Sequence, residues 1–132
     1  MAFTTGNQIL PGYPMPLGDK YLTLFDHTGP ASYTSFVAST GVGGDVIAAS
    51  SGGLNLGGFD YVDTDAADTT GQIQAFAVPV LGGYGNSLPQ MTIVYYALVT
   101  ATLGGQAQTA GAQVVAGTNL STFSFRFRTI GV

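Results

Sequence analysis

The chain has no cysteine, no tryptophan and no glutamate, and among its 132 residues only Lys20, Arg126 and Arg128 are basic. Without cysteine there is neither a disulfide framework nor a thiolate metal site, and the redox compartment is left open. A net charge of −4 with no basic cluster leaves nothing to neutralise phosphates, so no nucleic-acid partner is expected. No apolar run approaches the roughly 18 residues of a membrane-spanning helix, and no membrane partner is expected. The stretch from Met1 to Gln8 has neither a positive n-region nor an apolar h-region, so synthesis in the cytoplasm without a secretory signal is expected.

The scarcity of charge carries the most information. Charged residues make up 8% of the chain, where about 25% is usual for a soluble domain. A solitary domain keeps apart from its neighbours with a mixed, charged surface. A surface built from Thr, Ser, Gln, Asn, Gly and aliphatic groups suits lasting contact with other subunits instead, and a homo-oligomer, dimer or trimer, is expected.

What is present points to β structure. The stretch from Gln90 to Thr102 is rich in β-branched and aromatic residues, which restrict χ1 in a helix and fit a pleated surface. Met91, Ile93, Tyr95, Ala97 and Val99 would point one way and Thr92, Val94, Tyr96, Leu98 and Thr100 the other. Both faces are apolar, so both are expected to be covered. Strands are also expected at Tyr21–Asp26, Ser32–Ala38, Val46–Ala49, Phe59–Val62, Gln72–Val80 and from Gln113. The final strand, Thr122–Arg128, alternates cleanly: Phe123, Phe125 and Phe127 face a core, while Ser124, Arg126 and Arg128 face water or the aspartates. Glycine-rich turns separate these segments and no amphipathic helix interrupts them. The fold class is therefore all-β, a single-domain antiparallel β-sandwich or β-barrel over residues 19–132.

Residues 1–18 differ. Pro11, Pro14 and Pro16 forbid helix and remove donors that an interior strand needs, which implies an extended, polyproline-like arm. Its Ile9, Leu10, Tyr13, Met15 and Leu17 are too apolar for a free tail, and they are the candidate subunit-contact residues. The arm docks either on its own core or on a neighbour.

Candidate chemistry is sparse. His27, the only histidine, follows Asp26, but neighbours on one strand end seldom supply the orienting carboxylate and nucleophile of a hydrolytic triad. Asp60, Asp63, Asp65 and Asp68 suggest a cation loop, yet the spacing departs from an EF-hand and the distal glutamate is missing. Gly41–Gly44 and Gly82–Gly85 lack the Lys-Ser/Thr ending of a phosphate loop. No catalytic, cofactor or metal residue is assigned, and the chain is not expected to be an enzyme.

Several features together resemble the small β-rich virion proteins of tailed bacteriophages, of the capsid decoration or cement type. They are the arm ending in Pro16-Leu17-Gly18-Asp19-Lys20, the strand and turn from Tyr21 to Pro30, Gly43-Gly44-Asp45, and Ala116–Ser121 before the last strand. The resemblance implies a structural role on the capsid surface, holding neighbouring capsomers together, with the major capsid protein or other virion subunits as partners. A neck or tail component fits the same features. From a different class, a β-sandwich module that binds a small ligand or glycan also fits the composition.

Overall fold

The computed structural model describes residues 7–50, 54, 56–64, 67–78 and 88–132. Among them the chain is all-β and antiparallel. Its strands are β1 (Asn7–Ile9), β2 (Met15–Leu17), β3 (Lys20–Thr28), β4 (Asp45–Ala48), β5 (Phe59–Thr64), β6 (Ile73–Val78), β7 (Gln90–Ala97), β8 (Ala101–Leu103), β9 (Gln106–Gln108) and β10 (Ser124–Gly131).

The first sheet is ordered β1–β3–β10–β5, with β2 also paired to β3. Alternation along β10 places Phe125, Phe127 and Thr129 inside, and the same parity on β3 buries Thr23, Phe25 and His27. Phe25 stands opposite Phe127 in the register, and their rings stack at 5.6 Å. The outer face of this sheet holds the ion pairs. Asp26 lies directly across from Arg126 and accepts a two-pronged hydrogen bond at 2.8 and 3.1 Å. Asp63, across from Arg128, accepts at 2.8 Å, and Lys20 meets Asp60 at 2.7 Å. All three basic residues of the chain are therefore paired with aspartates on one sheet. Exposed pairs of this kind contribute only about 0–1 kcal/mol each; their larger effect is to keep that face wet.

The second sheet is β4–β7–β6, with β7 central, as the apolar run from Gln90 suggests. Met91, Ile93 and Tyr95 of β7 with Ile73 and Ala75 of β6 form its inner face, and Tyr95 reaches across to Phe125 of β10 at 4.9 Å. This ring contact joins the two sheets into one core, in a sandwich-like arrangement. Tyr33, Leu54, Leu56, Val114 and Leu120 close the core from the loops.

Several expected elements differ. The central strand ends at Ala97, bends through 98–100 and resumes as β8, which pairs with β9 around Gly104-Gly105; both glycines have positive φ. The polar stretch from Leu103 is thus a hairpin, because two glycines supply the left-handed turn that lets it double back. Ser32–Ala38 is not a strand. It makes a single bridge, Val37 to Val42, and its backbone is satisfied instead by loop contacts such as Tyr33 N to Thr118 O at 2.9 Å. Gln113 likewise makes only a bridge, to Tyr96.

The proline-rich arm is an edge of the chain's own first sheet. Asn7–Ile9 pairs with His27–Phe25, Leu10 N donates to Leu24 O at 3.0 Å, and Met15–Leu17 pairs with Leu22–Lys20. Strand pairing therefore begins at Asn7 rather than near Lys20. Prolines are tolerated here because one side of an edge strand needs no donors.

Candidate functional site

Two places bring polar or aromatic side chains together away from the ion-paired face. The first is a buried polar cluster at the junction of the two sheets. His27, on β3, has Nδ1 at 2.6 Å from Asn7 Oδ1 and donates from Nε2 to Asp45 Oδ2 at 2.7 Å. The Tyr95 hydroxyl donates to the same Asp45 oxygen at 2.7 Å. One carboxylate on β4 thus receives hydrogen bonds from β3 and β7, and the histidine extends the chain to β1. His27 is 5% exposed and Tyr95 fully buried, so each donor depends on this partner. Burial first, then the adjacent Asp45 carboxylate, pushes the Tyr95 phenol well above its ordinary value. The aspartate beside His27 in sequence, Asp26, points to the opposite face and to Arg126. The partner Asp45 lies 18 residues on and no sequence pattern links the pair. With its ring between two fixed side chains and its edge against Phe127 at 6.1 Å, His27 serves as a bolt between segments.

The second place is a groove of about 680 Å³ on the outer face of the β4–β7–β6 sheet. Phe76 on β6 stands opposite Val94 on β7, and its ring meets that of Tyr96 edge-on at 5.5 Å. Phe36 and Leu98 add apolar walls, while Gln74 and Gln113 line it with amides. None of the described residues lining the groove is charged. Phe76 is 48% exposed, Leu98 45% and the nearby Val46 51%. The expectation that both faces of β7 are covered holds for the inner face; on the outer face Val94 is buried, Thr92 and Tyr96 are half-buried, and Leu98 and the cross-strand Phe76 are exposed.

Gln113 is held rigidly. Its Oε1 accepts from the Tyr33 hydroxyl at 2.8 Å and from Phe36 N at 2.6 Å, and its Nε2 donates to Phe36 O at 3.1 Å. A backbone N–H can only donate, so the orientation of this amide is determined and one N–H remains without a partner among the described residues. Tyr33 is buried, which pushes its phenol up to about 12 and keeps it protonated as a donor. The Tyr96 hydroxyl also has no hydrogen-bond partner among the described residues.

The remaining candidates from the sequence fall elsewhere. Asp60 and Asp63 are engaged by Lys20 and Arg128, and Asp65 lies outside the described residues. Asp68 closes its own turn: it accepts from the amides of Thr70, Gln72 and Ile73 at 2.8–2.9 Å and from the Thr70 hydroxyl. Burial raises its pKa, but these hydrogen bonds outweigh burial and hold the carboxyl below the usual range. The aspartates are thus distributed among separate partners. Gly41 lies in the turn closed by the Val37–Val42 bridge and Gly43-Gly44 leads into β4; Gly82–Gly85 lies outside the described residues. Of the arm residues, Ile9 packs against the core, Leu10 and Tyr13 are half-buried, and Met15 and Leu17 are exposed at 43% and 44%. Set beside protein-family models, curated proteins and solved structures, the chain matches none of them.

Proposed function

We propose that this chain is a structural subunit that works through protein–protein contact, a virion protein of the capsid decoration or cement type that binds the shell and bridges neighbouring subunits. The observation that carries the reading is the unequal treatment of the two outer faces. The first sheet places every basic residue in an ion pair and stays compatible with water, whereas the second, among the described residues, leaves an uncharged, aromatic-lined face open. Open apolar faces mark contact sites. The resemblance in the arm, the Tyr21–Pro30 strand and turn and the Ala116–Ser121 connection directs that contact toward a virion.

The reading is non-enzymatic. His27 and Asp45 are spent on joining strands, and among the described residues the groove has no acid, base or nucleophile–base pair against it. The test is whether the protein accompanies assembled particles in a fixed ratio to the shell protein through a density gradient. Absence from purified particles would overturn it. One observation favours a second reading, a ligand- or glycan-binding module: Phe36, Phe76 and Tyr96 gather aromatic rings in a groove of a size that small molecules occupy. In that case neutral oligosaccharides should change the tyrosine fluorescence saturably, and no change would dismiss it.

A further inference from the structure

We propose that the groove on the outer face of the second sheet receives the proline-rich edge of a second copy of this chain, centred on Pro14–Leu17, so that copies join head to tail. The inference stands apart from the virion reading, since it concerns only two surfaces of this protein.

The first argument is hydrogen-bond polarity. Leu17 and Lys20 flank a two-residue turn, and Pro16 lies opposite Tyr21, the next pair along. In antiparallel alternation the pair next to the turn exchanges hydrogen bonds and the following one points its backbone groups outward. The carbonyl of Pro16 thus faces the side of β2 that pairs with no strand among the described residues, while the N–H that would accompany it does not exist. The edge offers acceptors without donors, which also prevents another strand from simply extending the sheet. The groove offers the reverse. Its polar groups without a partner among the described residues include one N–H of the rigidly held Gln113 and the hydroxyl of Tyr96, both able to donate to a carbonyl. Proline-rich segments docking into aromatic-lined grooves use the same complementarity, and a segment already held by pairing to β3 loses little further entropy on docking.

The second argument is apolarity and charge. Met15 and Leu17 project 43% and 44% exposed from the edge, and the groove is walled by Phe36, Phe76 and Leu98. Residues 11–17 carry no charge, Lys20 across from Leu17 is already paired with Asp60, and the described groove residues are uncharged, so an acidic chain of net charge −4 has here a pair of surfaces that meet without repulsion. The edge belongs to the first sheet and the groove to the far side of the second, so one copy cannot close the contact on itself. A contact between two different patches is heterologous, and it builds a closed ring or an open filament.

The experiment is sedimentation velocity on the purified full chain over a wide concentration range, with Leu17→Asp on the edge and Phe76→Asp in the groove. Both sites are exposed, so parental melting temperatures are expected; Met15→Asp and Leu98→Asp replace either variant that melts lower. The parent should self-associate, and each variant alone should do so more than about a hundredfold more weakly, because docking would desolvate the introduced carboxylate. An equimolar mixture of the two variants should recover association but stop at a dimer, since one intact edge and one intact groove remain. A parent that stays monomeric, a Leu17→Asp variant that associates like the parent, or a mixture that recovers nothing would overturn the proposal. Association by Leu17→Asp alone would point to groove-on-groove dimers instead.

Discussion

Replacing Asp45 by alanine tests the idea that the buried polar cluster bolts the two sheets together. Asp45 Oδ2 is the acceptor for both His27 Nε2 and the Tyr95 hydroxyl, each at 2.7 Å. Removing it strands two donors on residues that are 5% and 0% exposed. A buried donor left without a partner costs about 1–3 kcal/mol, and this substitution strands two of them. We expect a loss of about 3–4 kcal/mol, a large part of the roughly 5–15 kcal/mol that holds a domain folded. For a chain of this length that corresponds to a fall in Tm on the order of 10–20 °C. Asp45→Asn keeps an oxygen in place but loses the charge, so it should cost less, about 1–2 kcal/mol. Urea unfolding followed by tyrosine fluorescence would measure both. Tyr95→Phe in the Asp45→Ala background removes one stranded donor, and the double variant should therefore be more stable than the sum of the singles by at least about 1 kcal/mol. A loss for Asp45→Ala below about 0.5 kcal/mol at unchanged m-value, or strict additivity in the double variant, would refute the reasoning.

Three other outcomes follow from the same structure. Deleting residues 1–18 strips β3 of its edge partners and His27 of Asn7, so the truncated chain should melt at least about 10 °C lower; an unchanged Tm in calorimetry would show that the edge contributes nothing to its own sheet. Asp68 has its carboxyl held below the usual range in the folded state, so its contribution is fully present above the unfolded value of about 3.9 and disappears as pH falls through the lower folded value. Asp68→Ala should therefore cost about 2 kcal/mol at neutral pH and show a shallower stability loss than the parent below about pH 4; parallel acid titrations would contradict this. Gly43 has φ of 95°, and a Cβ there would lie 2.0 Å from Ser35 O, so Gly43→Ala should destabilise by about 2–3 kcal/mol, whereas alanine at Gly41, also at positive φ but with open space around it, should cost about 1 kcal/mol; equal costs in denaturant titrations would show that the close approach is relieved elsewhere.

Local pattern carried much of the architecture. Period-two alternation in β10 marks Phe125 and Phe127 as core and Arg126 and Arg128 as outward-facing, and the β-branched run from Met91 to Tyr95 marks a central strand; both follow from pleating, which acts residue by residue. The proline-rich arm shows a different limit. Composition identifies it as extended and apolar, but whether it pairs in cis is decided by the two-residue turn at Gly18-Asp19 and by the free side of β3, which exists only once β10 has taken the other side. Ser32–Ala38 has strand-like composition yet no ladder partner, because Tyr33 and Phe36 are claimed by loop residues and by Gln113, distant in sequence. The candidate sites were the least legible part. Asp26 adjoins His27 but faces away from it, since neighbours in a strand point to opposite faces, and Asp45 becomes the partner only when β4 packs beside β7 against the first sheet. The groove arises in the same way: Phe76, Tyr96 and Gln113 come from three separate segments, and they meet because the register of β6 on β7 and the bridge from Tyr96 to Gln113 bring them to one face. A strand's inward and outward residues are determined by its own covalent geometry, whereas which strands share a face depends on the pairing of segments far apart in the chain.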